Sequence, residues 1–145
     1  MTERIILTIV ALIMFALTIK KSDIITIILT TCLTFGILIT WSGVQSLVSI
    51  GIVTYMLTAL VIAIINLEKK GLSKFNRQTI FLAGLFSFLS NLFAFMQWPF
   101  ATIIRFCIII PLAFFLISLF KGITKRNEIG QLTIMNIELL LKFLR

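Results

Sequence analysis

The sequence predicts an all-α integral membrane protein, with five transmembrane helices followed by an amphipathic cytoplasmic helix. Hydrophobic residues make up 60% of the 145 residues and charged residues only 12%, whereas soluble domains are about half apolar and a quarter charged. A soluble fold of this length has no core large enough to bury so much apolar surface. The apolar residues also form long runs separated by short polar segments, as membrane-crossing helices require.

Five apolar runs have lengths near the roughly 20 residues that a helix needs to cross the hydrocarbon core. They are residues 5–19, 24–41, 44–67, 79–98 and 100–120. The first run is short, and only the four residues from Lys20 to Asp23 separate it from the second. One re-entrant hairpin is therefore the alternative, but two lysines and an aspartate inside the bilayer would be costly. We expect a tight turn at the membrane surface.

Basic residues predict the orientation of these helices through the positive-inside rule. With five crossings, the turns at 41–43 and 97–99 share a side with the amino terminus, where the connections carry only Glu3 and Arg4. The opposite side collects 11 of the 13 basic residues: Lys20, Lys21, Lys69, Lys70, Lys74, Arg77, Lys121, Lys125, Arg126, Lys142 and Arg145. We expect the amino terminus outside and the carboxyl terminus in the cytoplasm of a bacterial inner membrane. An organelle inner membrane is the alternative.

Four side chains are predicted to anchor the helices at the two membrane surfaces. Trp41 and Trp98 both fall at the outer interface, where indole rings prefer to lie. Lys69 and Lys70 fall at the cytoplasmic interface. The net charge of +8 comes mostly from such juxtamembrane clusters, which favour anionic lipid headgroups over nucleic acid as the partner.

The carboxyl-terminal segment, residues 121–145, is predicted to be a basic amphipathic tail outside the five-helix bundle of residues 1–120. At helical spacing its polar residues share one narrow face: Glu128, Gln131, Glu138, Lys142 and Arg145. We expect residues 129–145 to form a helix that lies in the cytoplasmic interface. A helix that docks on a partner protein is the alternative.

Small and polar residues at helical spacing predict where the helices pack, because close backbone approach holds membrane helices together. Gly84, Ser87, Asn91 and Ala94 form such a face on the fourth run. Thr34 on the second run is predicted to lie level with Gly51 on the third, which forms a close crossing. A face offered to another subunit, or a path for a substrate or ion, is the alternative.

One basic residue, Arg105, falls inside a predicted span, and an intramembrane charge is a candidate functional site. Pro111 cannot donate a hydrogen bond to the Cys107 carbonyl, which leaves that oxygen free. Folding the fourth and fifth runs into a hairpin brings Asn91 to the same depth. The sequence therefore predicts a polar cluster of Asn91, Arg105 and Cys107. Arg105 reaching the outer headgroups is the alternative.

The absence of histidine and the presence of only five carboxylates leave no catalytic pair, metal site or cofactor site to predict. We expect a small non-enzymatic membrane protein, an accessory subunit or helper that binds a larger membrane protein complex or copies of itself. The alternative is a small transporter or oligomeric channel, with Arg105 on a path for an anion. No carboxylate lies within the five predicted spans, although transporters coupled to protons usually carry one there.

Overall fold

The computed structural model describes residues 2–21, 23–99 and 101–144, and over these ranges the fold is entirely helical. The predicted bounds at Phe100 and Arg145 lie outside the described residues, as do the side chains of Lys21 and Lys125. The helices are α1 (Thr2–Lys21), α2 (Ile24–Ile39), α3 (Gln45–Leu67), α4 (Lys74–Phe95), α5 (Ala101–Cys107), α6 (Ile109–Phe120) and α7 (Ile129–Leu144). A single 3-10 turn, Ile123–Lys125, precedes α7.

Four stretches are long and apolar enough to cross a membrane: Thr2–Lys20, Gln45–Leu67, Lys74–Phe95 and Thr102–Phe120. The helix α2 is equally apolar but has only 16 residues. These stretches match four of the predicted runs closely, so the all-helical fold with helices apolar and long enough to cross a membrane is confirmed. The count of five crossings stays a prediction.

The helix α4 extends beyond its predicted start because Ser73 caps it. The Ser73 hydroxyl accepts a hydrogen bond from the Asn76 N–H at 3.2 Å, which satisfies a backbone donor of the first turn. At its other end, Gln97 adopts a positive φ of 52°. The N–H groups of Gln97 and Trp98 then bond back to the carbonyls of Ala94 and Phe93, which is a Schellman motif. The Trp98 ring packs edge-on against Phe93, with ring centroids 4.8 Å apart.

The fifth predicted run divides at Ile108 into α5 and α6. Pro111 lies one turn after Cys107 and has no N–H to donate to the Cys107 carbonyl, so the helical hydrogen-bond ladder is interrupted there. The Ile108 N–H still bonds to the Ile104 carbonyl at 3.1 Å. The stretch therefore continues in one direction through a local break.

The helices α1, α2, α3, α4 and α6 pack in that order, each against the next, and α7 packs against α1, α4 and α6. We call one end of the bundle the Trp41 end. It holds the first turn of α1, the α2–α3 and α4–α5 turns and the last turn of α7. We call the opposite end, with the α1–α2 turn, the α3–α4 loop and the α6–α7 connection, the Lys69 end.

Glycine permits three close helix crossings. A Cβ atom on Gly84 would lie 2.5 Å from the Ala59 carbonyl oxygen on α3, and one on Gly51 would lie 2.7 Å from the Gly36 carbonyl oxygen on α2. On α7, a Cβ on Gly130 would collide with the Thr18 hydroxyl of α1. Gly84 and Gly51, which the sequence analysis placed on packing faces, both lie at these close contacts. Gly51 meets Gly36, however, and not Thr34, whose buried hydroxyl donates to the Thr30 carbonyl in its own helix.

The placement of α7 differs from the prediction of a surface helix. Eight of its residues are buried: Gly130, Gln131, Leu132, Ile134, Met135, Asn136, Glu138 and Leu139. Gln131 and Glu138 of the predicted polar face share one side of α7, but this side is buried in the bundle. The Gln131 amide donates a hydrogen bond to the Thr26 carbonyl of α2 at 3.1 Å. Large apolar side chains such as Phe106 and Phe120 are exposed instead. An exposed apolar surface with buried polar residues suits lipid as the solvent, and it makes α7 part of the bundle.

Gly84→Ala is expected to destabilise the protein by about 1 to 3 kcal/mol, the usual cost of overpacking a tight contact. The added methyl group has no space because the Ala59 carbonyl is backbone and cannot rotate away. Thermal unfolding in a mild detergent measures the effect. Ala94→Leu is the control, since this exposed position on the same helix accepts a larger side chain. Equal losses for both variants would contradict the close crossing.

Candidate functional site

The Glu138 carboxylate lies inside the bundle, where the residue is only 6% exposed. Two residues one turn apart on α4 donate hydrogen bonds to it. The Ser87 hydroxyl donates to Oε2 at 3.1 Å, and the Asn91 amide donates to Oε1 at 3.1 Å. Asn91 also donates to the Ser87 carbonyl at 2.8 Å, which fixes its side chain against α4. The polar face predicted on α4 thus binds the Glu138 carboxylate, which lies on the buried side of α7.

The charge of Glu138 is balanced by Lys142, which lies one turn further along α7 and forms an ion pair with Oε1. The Lys142 ammonium also donates to the Ser90 hydroxyl of α4 at 3.0 Å. Two pairs of side chains, each one helical turn apart, therefore face each other across the α4–α7 contact. We call Ser87, Ser90, Asn91, Glu138 and Lys142 the Glu138 cluster.

Tyr55 of α3 brings a third helix to the cluster. Its side chain is 5% exposed, and its hydroxyl lies near Ser87 and Glu138. Within the described residues this hydroxyl has no hydrogen-bond partner of acceptable geometry. The hydroxyl therefore places a polar group of α3 beside the Ser87 hydroxyl and the Glu138 carboxylate.

A cavity of about 250 Å³ adjoins the cluster and opens at the Trp41 end. Its polar lining includes Tyr55, Asn91, Glu138 and Lys142. Its walls are mostly apolar or glycine: Leu7, Gly36, Ile37, Val48, Gly51, Ile52 and Leu141, together with Thr40. The exposed side chains of Glu3 and Arg4, in the first turn of α1, stand at the mouth. An apolar cavity with a few converging polar groups is the usual form of a small-molecule site.

Charged contacts hold both ends of α7. At the Lys69 end, the Lys69 ammonium pairs with the buried Glu128 carboxylate at 2.6 Å and with Asp23 at 3.2 Å. Burial acts to lower the pKa of Lys69, but the hydrogen bond and charge of Glu128, with a smaller contribution from Asp23, raise it above its ordinary value. The stability that this raised pKa provides is therefore present at neutral pH and lost only as the pH rises above about 10.5.

At the Trp41 end, Arg105 of α5 donates two hydrogen bonds to the Phe143 carbonyl in the last turn of α7, at 3.2 and 3.0 Å. A cation there also interacts favourably with the helix dipole. Arg105 therefore caps α7. The structure does not form the predicted cluster, because Asn91 bonds to Glu138 of α7 and not to Arg105 or to the Cys107 carbonyl.

The other predicted site residues have simpler surroundings. Trp41 is partly exposed, and its indole N–H donates to the Thr8 hydroxyl of α1 at 2.9 Å. Ala94 is exposed, so the packing face of α4 ends near Asn91. Lys70 is exposed beside the Lys69 ion pairs.

Sequence reasoning missed Glu138, Lys142 and Tyr55 as members of one site. The signal was present in the periodicity of α7, which places Glu138 and Lys142 on one face. That periodicity defines a polar face but does not say whether the face meets water or the polar side of α4. Tyr55 stands alone in an apolar run, with no local pattern to mark it.

Comparison with models of known protein families, with curated proteins and with solved structures finds no match to this chain. Within the described residues, no group of three His, Cys, Asp or Glu side chains is placed to hold a metal ion.

Lys142→Met is expected to destabilise the protein by about 2 kcal/mol, less than the usual cost of breaking a fully buried ion pair because Lys142 is partly exposed. The loss arises because the Glu138 carboxylate stays buried without its counter-charge. The double variant Glu138→Leu/Lys142→Met removes both charges and should recover part of that stability, as measured by thermal unfolding in detergent. Additive losses would contradict the ion pair.

Proposed function

We propose that the protein is a non-enzymatic integral membrane protein that takes a small polar molecule of zero net charge into the cavity beside Glu138. The observation that carries this proposal is a buried carboxylate at the floor of an open cavity, next to a Tyr55 hydroxyl that has no partner within the described residues. Ionisable residues within a membrane bundle usually mark a binding site or a transport path.

The charges around the cavity support a ligand with no net charge. The charges of Glu3 and Arg4 at the mouth balance each other, as do those of Glu138 and Lys142 in the lining. An ion that entered would lose its hydration without meeting an unbalanced counter-charge. A neutral or zwitterionic molecule with a hydroxyl or carbonyl group would meet the Tyr55 hydroxyl and apolar walls. Its binding would then satisfy the buried hydroxyl.

The proposal includes six membrane crossings, because α7 runs through the bundle from the Lys69 end to the Trp41 end. Its 16 residues span about 24 Å, as do those of α2. The Lys69 end holds nine of the 13 basic residues, whereas Arg4, Arg105 and Lys142 lie in the other half of the molecule. The positive-inside rule then places the Lys69 end in the cytoplasm. The amino terminus and Leu144 lie outside, together with the mouth of the cavity.

The accessory-subunit hypothesis stays a prediction. The close glycine contacts of Gly36, Gly51 and Gly84 are made within the chain, so these faces are not free for a partner helix. Purification from the native membrane, with identification of any stoichiometric partner, tests that hypothesis.

Cysteine labelling tests the six-crossing arrangement. In a background without Cys32 and Cys107, Gly43→Cys and Leu144→Cys should react with a membrane-impermeant thiol reagent from the same side, and Ser73→Cys from the opposite side. Five crossings would instead place Leu144→Cys on the side of Ser73→Cys. That result would overturn the crossing of α7 and leave the other five helices as assigned.

Reaction of Ile52→Cys, in the same background, tests the cavity and its preference for neutral molecules. An uncharged methanethiosulfonate reagent added at the outer side should modify this thiol about tenfold faster than cationic or anionic reagents of similar size. Rates are normalised to those of free cysteine. Adding Glu138→Gln gives the cavity a net positive charge. The modification rate with the anionic reagent should therefore rise relative to the rate with the cationic reagent.

Leu57→Cys is the matched control for this experiment, because it lies on the same helix with its side chain exposed to lipid. It should react slowly with every charged reagent. Equal rates for neutral and charged reagents at Ile52→Cys would contradict the charge argument. Modification of Ile52→Cys from both sides of the membrane would indicate a continuous channel and would contradict a cavity that is open at one end.

A further inference from the structure

The Lys69 ammonium joins three parts of the chain at the end of the bundle opposite the mouth of the cavity beside Glu138. It pairs with Glu128, which directly precedes α7, at 2.6 Å and with Asp23, which directly precedes α2, at 3.2 Å. Lys69 itself lies in the loop between α3 and α4. We call these three residues the Lys69 triad. It holds the start of α7 against α2 and the α3–α4 loop.

A layer of packed side chains separates the cavity from the Lys69 end. On each helix these residues follow the cavity-lining residues in the direction of the Lys69 end, and none of them has exposed surface. They are Ala11 of α1, Leu33 of α2, Ala59 and Ile62 of α3, and Leu132 and Met135 of α7. A molecule in the cavity can leave toward the Lys69 end only if the helices that carry this layer separate.

The surroundings of the Lys69 triad allow its ion pairs to separate and form again. The Glu128 side chain is 5% exposed, but the Lys69 side chain is 29% exposed. A polar cavity of about 240 Å³ adjoins the triad, and Lys70 and Arg126 also line it. A polar space of this size holds several water molecules. Separation therefore leaves Glu128 beside water and other cations, which avoids the large cost of a buried charge without a partner.

The helix α7 connects the Lys69 triad to the cavity. It is unbroken over residues 129–144, so about 15 Å of helix rise separates Glu128 from Glu138. Glu138 is bonded to α4, whereas Leu141, further along α7, lines the cavity. A rigid helix that is held at Glu138 moves its two ends in opposite directions when it tilts. If Glu128 moves away from the bundle, Leu141 moves into the cavity.

We propose that the protein is a carrier, in which separation of the Lys69 triad lets α7 tilt about Glu138. The tilt opens the packed layer at the Lys69 end and narrows the mouth at the Trp41 end. A neutral molecule held beside Glu138 then leaves on the other side of the membrane, down its concentration gradient. The carrier rests on the cavity of the proposed function and adds a second state in which that cavity opens at the opposite end.

Thr30→Cys, in the background without Cys32 and Cys107, reports opening at the Lys69 end. Thr30 is fully buried on α2, between the cavity and the Lys69 end, and cysteine is close to threonine in size. The whole protein is kept in membrane vesicles that expose the Lys69 end, and glutathione trapped inside consumes any reagent that crosses the bilayer. In the protein with an intact triad, an uncharged methanethiosulfonate reagent should modify this thiol slowly.

Lys69→Met should raise that rate about tenfold, because loss of the ion pair shifts the equilibrium toward the open state by about that factor. Glu128→Gln breaks the same pair from the other side and should give the same increase, even if the first variant fails to fold. Lys69→Arg keeps the charge and should react slowly. The matched control, Lys70→Met, removes an exposed neighbouring charge and should change the rate less than about twofold. Equal rates in the triad variants and in the control would overturn the role of the triad.

A bulky side chain in the cavity distinguishes a tilt of α7 from a general loosening of the bundle. Ile52 lines the cavity, so Ile52→Trp obstructs the narrowing of the mouth. Added to Lys69→Met, it should slow the reaction of Thr30→Cys about tenfold, because it disfavours the state that is open at the Lys69 end. Leu57→Trp is the control, since it adds the same side chain to the lipid-facing side of α3. Equal rates with Ile52→Trp and Leu57→Trp would overturn the tilt.

Reaction of Ile52→Cys from the Trp41 end separates a failure of the carrier from a failure of the cavity. If this thiol reacts as expected but the triad variants leave Thr30→Cys slow, the cavity stands and the carrier is overturned. If Ile52→Cys reacts from neither side, the cavity itself is overturned and the carrier with it. Fast reaction of Ile52→Cys, together with the increase in the triad variants and the slowing by Ile52→Trp, supports the carrier.

Discussion

A polar group surrounded by hydrocarbon has no water to bond with and must find its partner inside the protein. This constraint determines where α7 lies. Glu138 is too costly to expose to lipid, and α4 presents Ser87 and Asn91 at the right spacing to receive its carboxylate. The same constraint turns Gln131 toward the Thr26 carbonyl and Glu128 toward Lys69. The bundle closes around α7 because these contacts lie along its whole length.

Hydrogen bonds in membranes average well under 2 kcal/mol each, so the Glu138 cluster alone does not hold the helices together. Close packing supplies the rest, and it depends on residues without large side chains. Gly36 and Gly51 bring α2 against α3, Gly84 brings α4 against Ala59, and Gly130 brings α7 against α1. Polar contacts therefore select which faces meet, and small residues set how closely they meet.

The sequence is sufficient to predict the all-helical fold and the positions of helices apolar and long enough to cross a membrane. These features are local, since each depends on residues within one or two helices. The position of α7 and the partners of Asn91 and Arg105 are not local. Helical periodicity gives the direction in which a side chain points around the helix axis. A hairpin between two helices gives the level of that side chain along the bundle. Neither specifies which distant helix stands opposite, so the sequence predicts Asn91 as the neighbour of Arg105, whereas the structure gives it the Phe143 carbonyl of α7.

The position of α7 along the chain has a consequence for biosynthesis. The ribosome completes α1 to α6 before it makes residues 129–144, so the Ser87 and Asn91 face of α4 waits in the membrane without its carboxylate. During that interval Asn91 keeps only its bond to the Ser87 carbonyl of its own helix. A nascent chain cut short before α7 would keep this polar face of α4 without the carboxylate that it bonds in the complete bundle. The bundle is therefore complete only after Glu138 has been synthesised and α7 has packed against α4.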